Sequence, residues 1–503
     1  MTGLPLVGLD DLCGIYPSLI LAGTGMAVLL LDALLPMRSK LPAAWLTLIA
    51  LFSAFSASFQ RLTEGMDQTF FNNAVRMDSY AHAFSAIICL ATTLAILSAP
   101  KYLRLRAVHF AEYYALVLFS VSGMVLFAAA EELIMLFLAL ETMSIPVYCL
   151  VAFTRQNVYS TEASMKYFLM GAFATGFLVY GIALLYGAAG SGYLADLGRG
   201  AAASPGLFYS GMALLMVGFL FKIGAVPFHM WTPDAYEGAP TPVTTFMAEA
   251  VKAAPFGGLL KVLFVGFGFG EAMQIWQPTL VAVAVLTMCV GNIVALIQDD
   301  IKRMMGYSSI AHSGYILVGI IAAAQLQSSE ALATVLYYLF VYVLMNAGVF
   351  GVLILFSHKD KDINSMDDLV GLGKERPWAA ALMTVYLLSL TGIPPLAGFF
   401  GKFYVFSYAI KAGLIPLVVI AILNSVVSAY YYLKVVVAMY FRDPGEGGPS
   451  KKPVFYYEGY SVFLFIMLIF TAWGILNYGI RSEPLLDLSR RATTSLFTPS
   501  PSP

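Results

Sequence analysis

The sequence FKIGAVPFHMWTPDAYEGAPTPVTTFMAEAVK, at residues 221–252, decides the fold of this chain. It places lysine, histidine and glutamate inside or beside apolar segments, and glycines and prolines interrupt the same segments. A lysine at the centre of a membrane helix costs roughly 2.5–3.5 kcal/mol on insertion scales, and an interrupted helix frees backbone groups that need partners. A chain that keeps both features is expected to build a polar cavity at membrane depth.

The titratable residues of this stretch are Lys222, His229, Glu249 and Lys252. A second interpretation is that the two lysines extend their ammonium groups to the membrane surface, which is common near helix ends. The prolines and glycines between them favour the interpretation as a buried site.

The composition is that of a membrane protein. The chain has 503 residues, of which 60% are hydrophobic and 11% charged, whereas about 25% are charged in a soluble domain. A net charge of -1 gives no indication of a nucleic-acid partner. The cysteines are isolated, and the histidines are scattered, so we expect no iron–sulfur, zinc, haem or disulfide site and no cofactor in this chain.

Apolar runs of about 20 residues recur along the whole chain, which predicts an all-α, polytopic integral membrane protein of about fourteen transmembrane helices. Basic residues concentrate in the loops after odd-numbered spans, which places those loops in the cytoplasm. Loops after even-numbered spans hold few of them, namely Arg61, Arg76, Arg199 and Lys411.

A weak internal repeat divides the chain. GFLFK at residues 218–222 resembles GFFGK at 398–402, and Lys252 is separated from Lys434 by almost the same length of chain. Repeats of five spans, an odd number, predict two inverted five-helix units with broken helices at corresponding positions. The predicted divisions are three N-terminal helices, the first unit, the second unit, and a last helix with a short tail, at residues 1–105, 106–270, 271–445 and 446–503.

Ionisable residues inside predicted helices are functional hypotheses, because the bilayer makes them costly. The basic ones are Lys166, Lys222, Lys252, Lys261, Lys402 and Lys434. Acidic partners are Glu141, Glu162 four residues before Lys166, and Glu249 three residues before Lys252, spacings that bring side chains together on a helix.

A Glu–Lys pair beside an unpaired lysine is a two-state element for proton transfer. The main candidate carriers are Glu141, Lys222, Lys252 and Lys402, and Glu141 is expected to approach Lys222, directly or through one water, away from lipid. Secondary candidates, each with a structural alternative such as a hydrogen bond, an ion pair or an ammonium group at the membrane surface, are Glu162, Lys166, His229, Glu249, His312 and Lys434.

Several long motifs resemble the antiporter-like membrane subunits of respiratory complex I. They are LETMSIPVYCLVAF, STEASMKYFLMGAF, FKIGAVPFHMWTPDAYEGAPTPVT, GNIVALIQDDIKRMMGYSSIAHSGY, SLTGIPPLAGFFGKFYVF and NSVVSAYYYLKVV. The resemblance implies that Glu141 and Lys222 pair in one proton half-channel, that Lys252 lies on the central axis, and that Lys402 ends the other half-channel. Lys402 differs from the glutamate usual in the M-type subunit, the short tail differs from the L-type, and Glu249 departs from the family pattern.

By this resemblance the chain is expected to translocate protons in the inner (plasma) membrane, as one subunit of a proton-translocating NADH:quinone oxidoreductase. Its partners would be other membrane-arm subunits, which are linked to flavin, iron–sulfur centres and quinone elsewhere in the complex. The alternative is a subunit of a multisubunit cation/proton antiporter, which shares the lysines and broken helices but has no redox drive. A purely structural brace would gain nothing from six intramembrane lysines.

Overall fold

A computed structural model describes residues 8–35, 39–359, 362–442 and 461–497 of the chain, and most of these residues are helical. The N-terminal part consists of helices and one antiparallel hairpin. In order, they are α1 (Leu9–Gly14), α2 (Tyr16–Leu34), α3 (Leu41–Glu64), β1 (Gln68–Phe70), β2 (Val75–Met77) and α4 (Ser79–Leu105).

Two groups of helices follow, and they correspond to the predicted units. The first contains α5 (Ala111–Ala129), α6 (Leu133–Val151), α7 (Val158–Ala189), α8 (Gly198–Ala203), α9 (Pro205–Lys222), α10 (Trp231–Gly238) and α11 (Thr241–Lys261), which continues as a π-helix over Val262–Phe267. The second contains α12 (Met273–Leu296), α13 (Ile301–Leu326), α14 (Ser329–Leu355), α15 (Leu372–Glu375), α16 (Pro377–Thr391), α17 (Ala397–Lys411) and α18 (Ile415–Phe441). The chain continues through α19 (Val462–Ile480) and α20 (Glu483–Thr493).

The predicted all-α, polytopic membrane fold is confirmed. Within the described residues, 13 helices are long and apolar enough to cross a membrane, against about fourteen predicted. The remaining predicted span is divided between α16 and α17. Large apolar side chains such as Phe52, Phe173 and Val426 are about two-thirds exposed or more, as expected for surfaces that face lipid or another membrane subunit.

The two units have matching neighbours. In the first, α5 packs against α6 and α11, and α7 packs against both α9 and α10. In the second, α12 packs against α13 and α18, and α14 packs against both α16 and α17. This correspondence agrees with a repeat of five spans, while the inversion of the second unit and the division of the chain at residues 106–270 and 271–445 stay predictions.

Both predicted helix breaks are present. Helix α9 ends at Lys222, and Gly224 then adopts a φ of +68°, a left-handed conformation that glycine takes without steric cost. Helix α16 ends at Thr391, where Gly392 has a φ of +92°. A proline follows each glycine within three residues, so neither helix continues, and the chain resumes helical structure at Trp231 and Ala397.

Helix α11 lies at the centre of the molecule. Every residue of Thr241–Lys261 is buried, and the helix contacts α4 and α5 on one side and α14 on another. A helix buried on every side is usually apolar around its whole circumference, so the three charged residues of α11 are exceptional. Glu249, Lys252 and Lys261 are therefore enclosed by protein, and neither Lys252 nor Lys261 extends to the membrane surface.

The loops after spans three, five, seven, nine and eleven meet at one end of the molecule, around a cleft of about 1460 Å³. Their common side agrees with the alternation deduced from the basic residues, and the assignment of that side to the cytoplasm stays a prediction. Four of the basic residues used for this assignment lie outside the described residues, namely Arg38, Lys361, Lys451 and Lys452. The predicted boundary at 445/446 also lies outside the described residues.

Candidate functional site

Lys222 is held against α6 by hydroxyl groups. Its Nζ donates hydrogen bonds to Ser144 Oγ at 2.8 Å and to the Tyr148 hydroxyl at 3.2 Å, and it lies 5.6 Å from the centre of the Tyr148 ring. Ser144 and Tyr148 are four residues apart, so they share one face of α6. The lysine is 6% exposed, as predicted for a buried site at the end of α9.

Glu141 does not form the predicted direct pair with Lys222. One of its carboxylate oxygens accepts a hydrogen bond from the Thr175 hydroxyl of α7 at 2.9 Å, and no ion pair joins it to Lys222 among the described residues. Ser144, one turn further along α6, takes the position next to the ammonium group. Glu141 is also only partly buried within this chain, beside the exposed Leu138 and Ile145, so its approach to Lys222 through one water and away from lipid stays a prediction.

Lys252 contacts α13 and not the carboxyl group on its own helix. Its Nζ donates to the carbonyl oxygen of Ser309 and, at 2.5 Å, to Ser309 Oγ, and it lies 5.7 Å from the centre of the Tyr342 ring. The expected contact with Glu249 is absent, because Ser309 takes the lysine's hydrogen bonds. Both oxygens of Glu249 are buried and lack a hydrogen-bond partner in the described part of the chain.

His312, on α13 of the second unit, belongs to a chain of hydroxyl groups. Its Nδ1 is 2.8 Å from the Tyr338 hydroxyl, and its Nε2 is 3.2 Å from the Tyr432 hydroxyl, which also bonds to Ser308 Oγ. Ser308 is adjacent in sequence to Ser309, the partner of Lys252. The polar groups that extend from Lys252 into the second unit therefore lie along α13.

Lys402 closes the break between α16 and α17. Its Nζ donates to the carbonyl oxygen of Thr391 at 2.9 Å and to Ser425 Oγ at 2.8 Å, and it lies 4.9 Å from the centre of the Tyr315 ring. Tyr315 in turn accepts a hydrogen bond from Asn292 Nδ2 at 3.1 Å. This lysine, like Lys222 and Lys252, has no carboxylate partner among the described residues.

A polar network behind Lys402 could not be predicted from the sequence. Asn292 accepts a hydrogen bond from the Tyr431 hydroxyl at 3.1 Å and donates to Asn424 Oδ1 at 3.3 Å, so α12 and α18 are joined inside the core. Its members are single asparagine and tyrosine residues within apolar runs, and they show no distinctive spacing. Only the packing of three helices reveals the network.

Two secondary pairs lie on the surface. Glu162 and Lys166 are joined at 2.9 Å and are about half exposed, and Lys166 also contacts Asp234 at 3.1 Å. Lys434 lies 3.1 Å from Asp299, whose side chain is 87% exposed. Both pairs fit the structural alternative of a surface ion pair, because their charged groups are exposed at the loop end of the molecule.

Asp234 belongs to an ion-pair network on the cleft. Burial opposes the ionisation of Asp234, but hydrogen bonds from Arg303 and Lys166 outweigh it and hold the pKa of this carboxyl below its ordinary value. Arg303 also forms an ion pair with Glu237, at a distance of 2.8 Å between nitrogen and oxygen. His229 is half-buried in the segment between α9 and α10 and does not contact the three buried lysines by any hydrogen bond found in the described residues.

Lys261 forms a buried ion pair that sequence reasoning missed. Its Nζ is 2.6 Å from Glu131, and the two side chains are 0% and 8% exposed. Lys261 is thus enclosed by protein and paired, unlike the three lysines held by neutral oxygens. Nearby, a hydrogen bond from Arg76 is the main cause of a lowered pKa for Asp67.

The comparisons with known proteins agree with this geometry. A family model described as NADH:quinone oxidoreductase/Mrp antiporter, transmembrane, matches residues 130–428, which contain all four main candidates. NADH-quinone oxidoreductase subunit N of Trichlorobacter lovleyi is 44% identical, over 95% of this chain and 96% of its own length. NADH-quinone oxidoreductase subunit N 1 of Sorangium cellulosum is 46% identical, over 82% and 83%.

A solved structure has the same fold. A chain of respiratory complex I from Thermus thermophilus, with bound aureothin, superposes with a TM-score of 0.79 at 32% identity, covering 94% of this chain and 99% of that one. The fold and the buried lysines thus define a transmembrane protein of the NADH:quinone oxidoreductase/Mrp antiporter class. Within that class, the chain belongs to the family of NADH-quinone oxidoreductase subunit N.

Proposed function

We propose that this chain is a proton-translocating membrane subunit of an NADH-quinone oxidoreductase. One observation carries the proposal. Three lysines, Lys222, Lys252 and Lys402, are enclosed in the membrane-spanning part and held by hydroxyl and carbonyl oxygens, with no carboxylate among their partners. A buried lysine without a fixed counter-charge exchanges its proton more readily than one in an ion pair, and such groups mark proton relays in membranes.

The relay runs along hydroxyl groups between these lysines. The hydroxyl partners are Ser144 and Tyr148 for Lys222, Ser309 for Lys252, and Ser425 for Lys402. A hydroxyl both donates and accepts a hydrogen bond, so it passes a proton without holding a charge. Glu141 lies about one turn before Ser144 on α6 and influences Lys222 electrostatically from that position.

The helix breaks place Lys222 and Lys402 where a small movement changes their partners. Lys222 is the last residue of α9, and Lys402 bonds to the last residue of α16. Broken helices at corresponding positions of two repeats are typical of transport sites. A shift of either half-helix therefore moves an ammonium group relative to its oxygens and changes its proton affinity.

The driving reaction takes place in other subunits. The relatives are named NADH-quinone oxidoreductase subunit N, so NADH oxidation and quinone reduction belong to the assembled complex. Groups of three or more His, Cys, Asp or Glu suited to a metal ion are absent from the described residues. We propose that this chain carries no redox cofactor, contacts neighbouring membrane-arm subunits through its exposed apolar faces, and lies in the plasma membrane.

The test is proton pumping by the assembled complex in membrane vesicles with Lys222→Ala and Lys222→Arg. We expect the alanine variant to assemble normally but to lose most pumping, because Ser144 and Tyr148 then have no proton carrier between them. Arginine keeps the charge but is effectively never deprotonated, so it is expected to restore little. Lys411→Ala is the matched control, because that lysine is exposed at the end of α17 and belongs to none of the candidate sites.

Full pumping in Lys222→Ala would exclude this lysine from the path. A purely structural role predicts instead that alanine impairs assembly and that arginine restores everything. The antiporter alternative is separated by the proteins that copurify from native membranes, which are a quinone-reducing assembly in one case and small antiporter subunits in the other.

A further inference from the structure

Glu249 is a fully enclosed carboxyl group without a partner. It lies in the middle of α11, its side chain is 0% exposed, and neither oxygen has a hydrogen-bond partner within the described residues. A carboxylate that protein encloses completely and that accepts no hydrogen bond from it costs more free energy than folding supplies, so such a group takes up a proton. In the arrangement seen here, Glu249 is therefore a neutral, protonated acid.

The groups around Glu249 are those that a proton transfer needs. Lys252 follows it by three residues, so the two side chains lie on adjoining positions of α11. Tyr236 belongs to α10, which packs against α11, and its hydroxyl is 3.2 Å from Ser309 Oγ. Ser309 also holds the Lys252 ammonium group. We call Tyr236, Glu249, Lys252 and Ser309 the central cluster.

Within the central cluster, Lys252 has two alternative oxygen partners. It now bonds to Ser309, while the oxygens of Glu249 are unused. The four-carbon stem of lysine is flexible, so rotation about its side-chain bonds moves Nζ from one helix neighbour to another without moving the backbone. Ser309 does not lose its hydrogen bonding in that movement, because the Tyr236 hydroxyl is already within reach.

We propose that Glu249 is a second proton-binding group of the central cluster and exchanges its proton with Lys252. When Lys252, as a neutral amine, turns from Ser309 to Glu249, the carboxyl O–H bond breaks and an N–H bond forms, and no electron is transferred. The product is a carboxylate beside an ammonium group, which attract each other strongly in a low-dielectric interior. This inference rests on the proposed proton-translocating function and adds a carrier to it.

The same geometry indicates from which side the Glu249 carboxylate is reprotonated. Helix α10 carries Tyr236 toward Glu249, and the neighbouring Asp234 and Glu237 line the cleft at the loop end. When Lys252 returns its side chain to Ser309 and passes its proton toward His312, the carboxylate left behind is reprotonated from the α10 side. Glu249 thus lies between the cleft and the central lysine.

A structural role for Glu249 predicts a different response to substitution. If the side chain only fills space in α11, glutamine serves equally well, because it has the same shape and is neutral like the protonated acid. If Glu249 and Lys252 instead form a permanent ion pair, glutamine leaves the charge of Lys252 without its partner. The wild type then contains no protonated carboxyl at position 249. Both alternatives are distinguishable from proton exchange.

The experiment uses the assembled complex in native membranes, with Glu249→Gln, Glu249→Asp and the control Glu271→Gln, whose carboxyl lies in an exposed turn. We expect Glu249→Gln to assemble but to pump as poorly as Lys252→Ala, and Glu249→Asp to pump at an intermediate rate. Infrared difference spectra during turnover should show the C=O band of a buried protonated carboxyl in the wild type, shifted in the aspartate variant and absent in the glutamine variant.

Wild-type pumping in Glu249→Gln would overturn the inference, as would a carboxyl band that is unchanged in Glu249→Asp. The aspartate variant keeps the test decisive if glutamine impairs assembly. The proposed function is tested separately, because it requires a loss of pumping in the lysine variants whatever the result at position 249.

Discussion

Lys402 donates a hydrogen bond of 2.9 Å to the carbonyl oxygen of Thr391, the last residue of α16. The final carbonyls of a helix have no partner within the helix and carry partial negative charge. A lysine on the next half-helix satisfies one of them. The break between α16 and α17 is therefore held by the same amine that we propose carries protons.

Replacing Lys402 separates its two roles. Lys402→Met keeps much of the volume but removes the amine, so we expect proton pumping to fall to background while the amount of assembled complex falls only slightly. Losing one hydrogen bond costs about 1 kcal/mol of folding free energy. Pumping and quinone reduction per assembled complex are measured together, and normal pumping in this variant would place the relay elsewhere.

Lys402→Arg is the complementary variant. The guanidinium group keeps donors for Thr391 and Ser425, but it does not release its proton under physiological conditions. We expect normal assembly with strongly reduced pumping. An arginine variant that pumps like the wild type would show that only the positive charge is needed at this position.

The Tyr432 hydroxyl links Ser308 to His312, and its removal tests the path along α13. Tyr432→Phe keeps the ring and deletes only the hydroxyl group, so we expect pumping to fall severalfold with little loss of stability, about 1 kcal/mol. Tyr430→Phe on the same helix is the control, because that side chain is 64% exposed. Equal rates in the two variants would exclude the Tyr432 hydroxyl from proton transfer.

Much of this fold could be predicted from the sequence, because the breaks and spans depend on local chemistry. Gly224 and Gly392 are followed closely by prolines, and no helix continues through such a stretch. The buried lysines could also be identified, since each interrupts an apolar run. These features need no knowledge of the neighbouring helices.

The partners of the lysines could not be predicted in the same way. Ser309 lies 57 residues from Lys252, and hydroxyl residues are too common in the apolar runs for one of them to be singled out. The expected pairs, Glu141 with Lys222 and Glu249 with Lys252, rested on opposite charge. In the structure, hydroxyl and carbonyl oxygens hold the lysines instead, because the packing of α6 and α13 brings those oxygens closer.

The ion pair of Lys261 with Glu131 was missed for a related reason. Glu131 belongs to the junction between α5 and α6, where acidic residues normally face water, and its partner is 130 residues away. Only the tertiary packing of α11 encloses both groups. Their isolation from the three lysines held by neutral oxygens indicates a structural role.

Breaking this pair should destabilise the subunit strongly. Glu131→Gln leaves the Lys261 ammonium group buried without its counter-charge, and loss of one member of a buried pair typically costs about 3–5 kcal/mol. We expect little assembled complex and a lower midpoint of thermal inactivation. The double variant Glu131→Gln, Lys261→Met removes the unpaired charge and should recover most of the loss. If the single variant assembles and pumps normally, the pair does not support the fold.

The last prediction concerns the backbone at the first break, two residues after Lys222. Gly224 has a φ of +68°, and a Cβ atom there would lie 2.9 Å from Thr232 Oγ1. Gly224→Ala therefore adds a left-handed strain of roughly 1–2 kcal/mol and a steric clash with the start of α10. We expect reduced thermal stability and, because Lys222 is displaced from Ser144 and Tyr148, a larger relative loss of pumping. Gly176→Ala is the matched control, since that glycine lies within α7 and an added Cβ meets nothing within 4 Å, so it should be neutral or stabilising. A Gly224→Ala variant that is as stable and as active as Gly176→Ala would show that the left-handed turn is not what fixes Lys222 against α6.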